Sequence, residues 1–243
     1  MTIHSPLPPE TQRLSKAVAA QVPCSRREAE QLIVEGWVRV DGVCQYQPET
    51  RVRSGQRIEV DPQARLEPVQ PATLLVHKPA GVVLSATADW MEATRWADDP
   101  SGMPTRRAHR IGLKTLLPMP DWASGLCVYS QDPRVVRKLT EDAAWLEQEW
   151  VVDVTGDMHD DGLDRLRQGL VQDGRVWPPV RVSWQSESRL RFALKGVAPD
   201  ALGTLCGAVG LRSVAARRLR IGRVALAGLP AGQWRYLSPA ERF

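Results

Sequence analysis

The chain has 243 residues, 43% of them hydrophobic and 25% charged, with a formal charge of +4 and a pI near 9.1. This composition excludes a wholly disordered chain and supplies apolar material for one large domain or for a small and a medium one. The longest apolar stretches, such as Thr73–Val76 and Val224–Leu229, fall well short of the ~18 residues of a membrane helix, and the amino terminus lacks a charged-then-apolar leader pattern. A cytoplasmic protein with no membrane partner is expected. Cys24, Cys44, Cys127 and Cys206 form no C-x-x-C pair, and His4, His77, His109 and His159 are equally scattered, so neither a disulfide framework nor a metal site is expected. The positive charge tilts the choice of partner toward polyanions without identifying one.

Residues 1–10 hold three prolines and no apolar period, the pattern of a loose tail. From Arg13 to Val34 apolar residues recur at helical spacing (Leu14, Val18, then Ala29, Leu32, Ile33), interrupted by Pro23-Cys24-Ser25, which predicts helix, turn, helix. Ser25 with Glu28 three residues on is a capping box. It places Arg26 and Arg27 in the first helical turn, where the helix dipole disfavours cations. A bound phosphate would account for them, and so would plain solvation. Trp37–Val40 alternates, Asp41-Gly42 signals a hairpin turn, and Arg51–Arg53 and Ile58–Val60 read as further short strands. Residues 61–71, with Pro62, Pro68 and Pro71, read as a linker, so the reading divides the chain into domains at 11–61 and 72–240.

The second domain opens with a buried strand, Thr73–Val76, running through His77-Lys78 into a Pro/Gly turn. A long charged segment over 86–113 has no regular pattern, which in a compact domain points to function or motion. Strands are predicted at Leu126–Ser130, Glu149–Thr155, Val214–Ile221 and Gln233–Leu237, with an antiparallel pair from Arg181–Trp184 and Arg189–Leu194. Helices are predicted at Pro133–Trp145, Asp161–Leu170 and Ala201–Val209. The fold class is therefore α+β with a mainly antiparallel sheet. Of nine tryptophans, Trp37 and Trp234 sit in strand patterns, while Trp90, Trp96 and Trp122 lie in loops, where base stacking or core packing would each explain a large ring.

Arg13-Leu14-Ser15-Lys16, Cys24–Glu30, Gly36–Gly42 and Ser54–Ile58 together resemble the S4 RNA-binding domain, in order and in spacing. The resemblance implies contact with structured RNA through phosphates and shape, with Lys16, Ser25, Arg26, Arg27 and Arg39 as the contact residues. The larger domain resembles the pseudouridine synthases that carry an amino-terminal S4 domain. The landmarks are Leu75–Val83, Ser124–Asp132, Glu147–Val154, Cys206–Leu211, Arg220-Ile221-Gly222 and Leu229–Leu237. It implies the antiparallel synthase sheet with flanking helices, a monomer acting on ribosomal or transfer RNA, and isomerisation of an extruded uridine by an aspartate without metal or diffusible cofactor.

This sequence departs from that family at three places. The family's Gly-Arg-Leu-Asp segment falls on Leu117-Pro118-Met119-Pro120, so prolines stand where the aspartate and its arginine belong. Asp121, one residue later, becomes the candidate catalytic residue if the turn has lost a residue. The family's pocket tyrosine corresponds to Trp150, which implies a base-stacking role without the hydroxyl, and the family's basic Arg-Gln-x-Arg-Arg segment corresponds to Asp200–Thr204, without cations. Arg212, Arg217, Arg218, Arg220 and Arg223 form a late run with no acid among them, either a binding surface or a solvated face. Two functions follow: a synthase using Asp121 and Trp150, or an RNA-binding protein on the same fold without chemistry.

Overall fold

A computed structural model describes residues 11–83, 94–172, 174–196, 198–199 and 201–243. The chain forms two compact units, 1–70 with 105–108 and 71–104 with 109–243.

In the first unit, β1 (Thr11–Arg13) leads directly into α1 (Leu14–Gln21), and α2 (Arg26–Val34) follows a tight turn. The predicted capping box closes α2: the Glu28 N–H donates to Ser25 Oγ at 3.2 Å, and the Ser25 N–H donates to Glu28 Oε2 at 2.7 Å. β2 (Val38–Val40) and β3 (Val43–Gln45) form the Asp41-Gly42 hairpin, both turn residues having positive φ, 50° and 80°. β4 (Arg51–Arg53) pairs with β1, whereas β5 (Ile58–Val60) returns to β2. Leu14, Val18, Ala29, Leu32, Ile33, Val38 and Val52 make one small core. The predicted apolar face of each helix thus buries against both ladders.

The second unit is built on one nine-stranded sheet. Its strands are β6 (Thr73–Lys78), β7 (Lys114–Leu116), β8 (Ser124–Ser130), β9 (Gln148–Thr155), β12 (Arg181–Ser186), β13 (Arg189–Leu194), β14 (Arg212–Ile221), β15 (Val224–Ala225) and β16 (Trp234–Tyr236). The path runs β12-β13-β9-β14-β8-β6-β16, with β15 on β14 and β7 on β8. A separate hairpin, β10 (Leu170–Gln172) with β11 (Arg175–Trp177), stands apart from that sheet. Pairing is antiparallel except between β8 and β14, where Gly125 lies opposite Arg218. A Cβ on Gly125 would sit 2.3 Å from the Arg218 carbonyl oxygen, and its φ is 106°, so only glycine permits this approach.

Helix α3 (Pro133–Thr140) is capped by Asp132 and buries Leu139. It stops before a 3₁₀ turn at Ala143–Trp145, so the predicted helix over 133–145 is two pieces. Helix α4 (Gly162–Gln168) ends at Gly169, φ 87°, and Leu170 already belongs to β10. Helix α5 (Ala201–Gly207) packs Leu202, Leu205 and Cys206 against the core beneath β9, β13 and β14. That apolar contact buries Ala201 and Leu202, where a cation would have no solvent, whereas Thr204 is exposed; Asp200 lies outside the described residues, as do Trp90 and residues 84–93 of the long charged segment.

Candidate functional site

In the first unit, Ser25, Arg26 and Arg27 share one turn at the start of α2. Arg26 pairs with Glu30 at 3.2 Å while both side chains stay largely exposed, a contact of small energetic value. Arg27, Lys16 on α1 and Arg39 on β2 are exposed and make no ion pair among the described residues. The β1–β4 ladder adds cations that the sequence reading did not assign: Arg13 lies directly opposite Arg51, and Arg53 opposite Thr11. Like charges in register repel, and no acid among the described residues pairs with these three. The alternation in Arg51-Val52-Arg53 marked a face but not the strand it would meet. Residues 105–108 belong to this unit and bring Arg106 to Glu67 at 2.7 Å and Arg107 over the Tyr46 ring at 4.0 Å.

In the second unit, the loop joining β7 to β8 carries the two prolines. Leu117 opens it with a φ of 49°, a left-handed conformation that costs a non-glycine residue roughly 1 kcal/mol. Asp121 is exposed, and its carboxylate has no partner among the described residues. What the fold holds is its backbone: Lys78 Nζ donates to the carbonyls of Asp121 at 2.8 Å and Ala123 at 2.6 Å, and the Gly81 N–H donates to the Asp121 carbonyl at 2.8 Å. Burial pushes the Lys78 ammonium below its usual range, partly offset by Cys127 and Asp121.

Trp150 is 0% exposed and belongs to the core of this unit, with the Arg218 guanidinium 5.3 Å from its ring centroid. Neither ring face is open to an extruded base, so the stacking role drawn from the resemblance has no accessible surface here. Arg218, also 0% exposed, donates through Nε to the Leu126 carbonyl at 2.7 Å and through Nη1 to Gln148 Oε1 at 3.1 Å, while Nη2 has no partner. Burial drives its pKa down to about 10, with Cys127 opposing, and no carboxylate pairs with it. A cavity of about 490 Å³ lies beside the loop, walled by Leu117, Pro118, Met119 and Pro120, with Gln148 as the polar side chain on its lining among the described residues. Among the described residues the site therefore combines a buried cation without a carboxylate partner, an apolar pocket and the Asp121 carboxylate, which no hydrogen bond or ion pair fixes.

The late arginine run is also resolved by strand parity. Arg218 points into the core, Arg220 pairs with Glu147 at 2.7 Å and Glu149 at 3.0 Å, and Arg212 reaches Thr155 Oγ1 at 3.4 Å. Arg217 and Arg223 stay exposed without an ion pair among the described residues. The run lacks acids in sequence, but β9 and the residue before it supply them across the ladder. Of the loop tryptophans, Trp96 packs on a core cluster and Trp122 is 42% exposed.

The S4 domain family model matches residues 12–58. Over 94% of its length the chain is 27% identical to an uncharacterized RNA pseudouridine synthase of Aquifex aeolicus, and the match spans 94% of that protein. It is 25% identical to ribosomal large subunit pseudouridine synthase B of Bacillus subtilis, over 95% of this chain and 93% of that one. The chain thus carries an S4 domain and is similar over most of its length to proteins named RNA pseudouridine synthases. The dual-specificity RNA pseudouridine synthase RluF of Escherichia coli K12 is 26% identical to this chain over 97% of its length, covering 78% of RluF. A crystal structure of a pseudouridylate synthase superposes with a TM-score of 0.57 at 16% identity, over 93% of this chain and 96% of that one, so the fold is shared.

Proposed function

We propose that this protein binds structured RNA, ribosomal RNA first among the candidates, and that it does so without isomerising uridine. The S4 unit, drawn as residues 11–61, supplies the binding surface, and residues 72–240 keep the synthase scaffold. The chain acts as a cytoplasmic monomer, a setting that suits four cysteines in the free thiol form.

The observation that carries the loss of chemistry is Arg218, wholly buried beside Gln148 with no carboxylate paired to it among the described residues. Catalytic groups have to be held to within ~0.5 Å by their surroundings, whereas the Asp121 side chain has no support among the described residues. The binding half of the reading rests on Lys16, Arg27 and Arg39, exposed and without an ion pair among the described residues, and on the Arg13–Arg51 juxtaposition, whose mutual repulsion a polyanion would relieve.

RNA carrying tritium at uridine carbon 5 tests the reading. The expected result is saturable binding with no label released. Release that disappears in Asp121→Asn would instead make the protein a synthase with a displaced aspartate.

A further inference from the structure

The face of the sheet opposite Trp150 carries a second depression of about 470 Å³, lined in part by charged side chains. Register places Arg191 on β13, Val151 on β9 and Arg217 on β14 in one row, since each arginine lies directly opposite Val151. Two positions along β9 from Val151, Glu149 is almost fully buried and bonds two guanidiniums at once, Arg191 through Oε1 and Arg220 through Oε2. Glu147 holds Arg220 from its other side. Arg191 and Arg220 are thereby fixed in place, as charge-assisted pairs with a shared carboxylate fix both partners. Arg217 borders the same depression, is exposed and has no ion pair among the described residues.

His77 completes the lining from β6. Its Nδ1 lies 2.7 Å from the Leu229 carbonyl oxygen, which can only accept, so Nδ1 carries the hydrogen and Nε2 of the neutral ring is an acceptor. Burial, with Arg217 acting in the same sense and the Leu229 contact against it, holds this imidazole below its ordinary range, so the ring is neutral at physiological pH. The depression thus offers an uncompensated cation for an anion and an acceptor for a hydroxyl. An RNA backbone supplies both from adjacent groups, and only the ribose form carries the 2′-hydroxyl.

We propose that this pocket takes a segment of RNA backbone, with a phosphate on Arg217 beside Arg191 and a ribose 2′-hydroxyl donating to Nε2 of His77. The proposal rests on the reading of the protein as an RNA binder and adds a contact surface on the second unit.

The test is equilibrium binding of a structured RNA across a salt series, using the full chain, Arg217→Ala and Arg217→Lys, with Arg26→Ala/Arg27→Ala alongside. Arg217→Ala should weaken binding about tenfold and lower the slope of log K against log salt by about one, and Arg217→Lys should restore the slope. A DNA strand of the same sequence should bind less well than the RNA to the unaltered protein, and His77→Leu should shrink that preference. An unchanged slope in Arg217→Ala, when Arg26→Ala/Arg27→Ala reduces it, overturns the phosphate site and leaves the RNA-binding reading standing. An unchanged RNA preference in a folded His77→Leu overturns the hydroxyl contact. No binding by the unaltered protein overturns both the pocket and the reading beneath it.

Discussion

In the amino-terminal unit the cations that matter, Lys16, Arg27, Arg39, Arg13 and Arg51, stand in solvent without acids among the described residues. In the larger unit most are consumed by the fold. Lys78 holds two loop carbonyls, Arg218 is sealed in the core, and Arg220 is tied to two glutamates. Free surface cations repel one another and contribute little to stability, so a fold keeps them together at a cost that a bound polyanion removes. Internal cations do the reverse, supporting structure while contributing nothing to the surface potential. The difference separates a unit whose cations face solvent from one whose cations support packing.

The sharpest way to break that comparison is Trp150→Ala. Emptying this core position should cost about 3–5 kcal/mol, read as a lowered denaturant midpoint, while RNA affinity measured on the folded fraction stays unchanged. A loss of affinity with little loss of stability would return Trp150 to a stacking role. Next in size is Lys78→Met, which leaves the Asp121 and Ala123 carbonyls without their buried donor and should destabilise by about 2–3 kcal/mol in chemical unfolding.

Arg51→Glu sharpens the other side of the comparison, because its two effects have opposite signs. It converts the Arg13–Arg51 repulsion into an attraction worth a few tenths of a kcal/mol, so the melting temperature should rise slightly while RNA affinity falls. If both fall, the strip is structural.

The smallest effect concerns acid. Burial pushes the Asp99 carboxyl up, but hydrogen bonds from the Ser101 and Tyr236 N–H groups, and from Arg95, outweigh it and hold the pKa below 3.8. A carboxyl depressed on folding adds stability that is complete above its unfolded pKa and disappears as pH falls through the folded value. Asp99→Asn should therefore lower stability at pH 7 and flatten its decline below about pH 4, seen in melting temperatures taken across that range.

Much of this architecture was legible in the sequence because the signals are local. The capping box, the Asp-Gly turn and the alternating strands each specify their own backbone, and they fall where the sequence reading puts them. The missing parts are long-range. Nothing in Arg51-Val52-Arg53 says that it pairs with Thr11–Arg13, and the parallel β8–β14 contact is visible only as a glycine with nothing to explain it until Arg218 is seen against it. At the site, Pro118 and Pro120 marked the departure from the family's motif in the sequence itself. The burial of Arg218 did not show, because a run of arginines reads as a surface until strand parity turns Arg217 outward and Arg218 inward. Trp150 was misplaced for the same reason: a motif position says what a residue replaces, not how tightly its neighbours have closed over it.

The central claim, that binding resides in the exposed cations of the S4 unit, is tested most directly by RNA affinity of the intact protein and of Arg26→Ala/Arg27→Ala across a salt series. The account predicts weaker binding, a salt slope reduced by about two, and an unchanged melting temperature. An affinity and slope identical to those of the unaltered protein would contradict it.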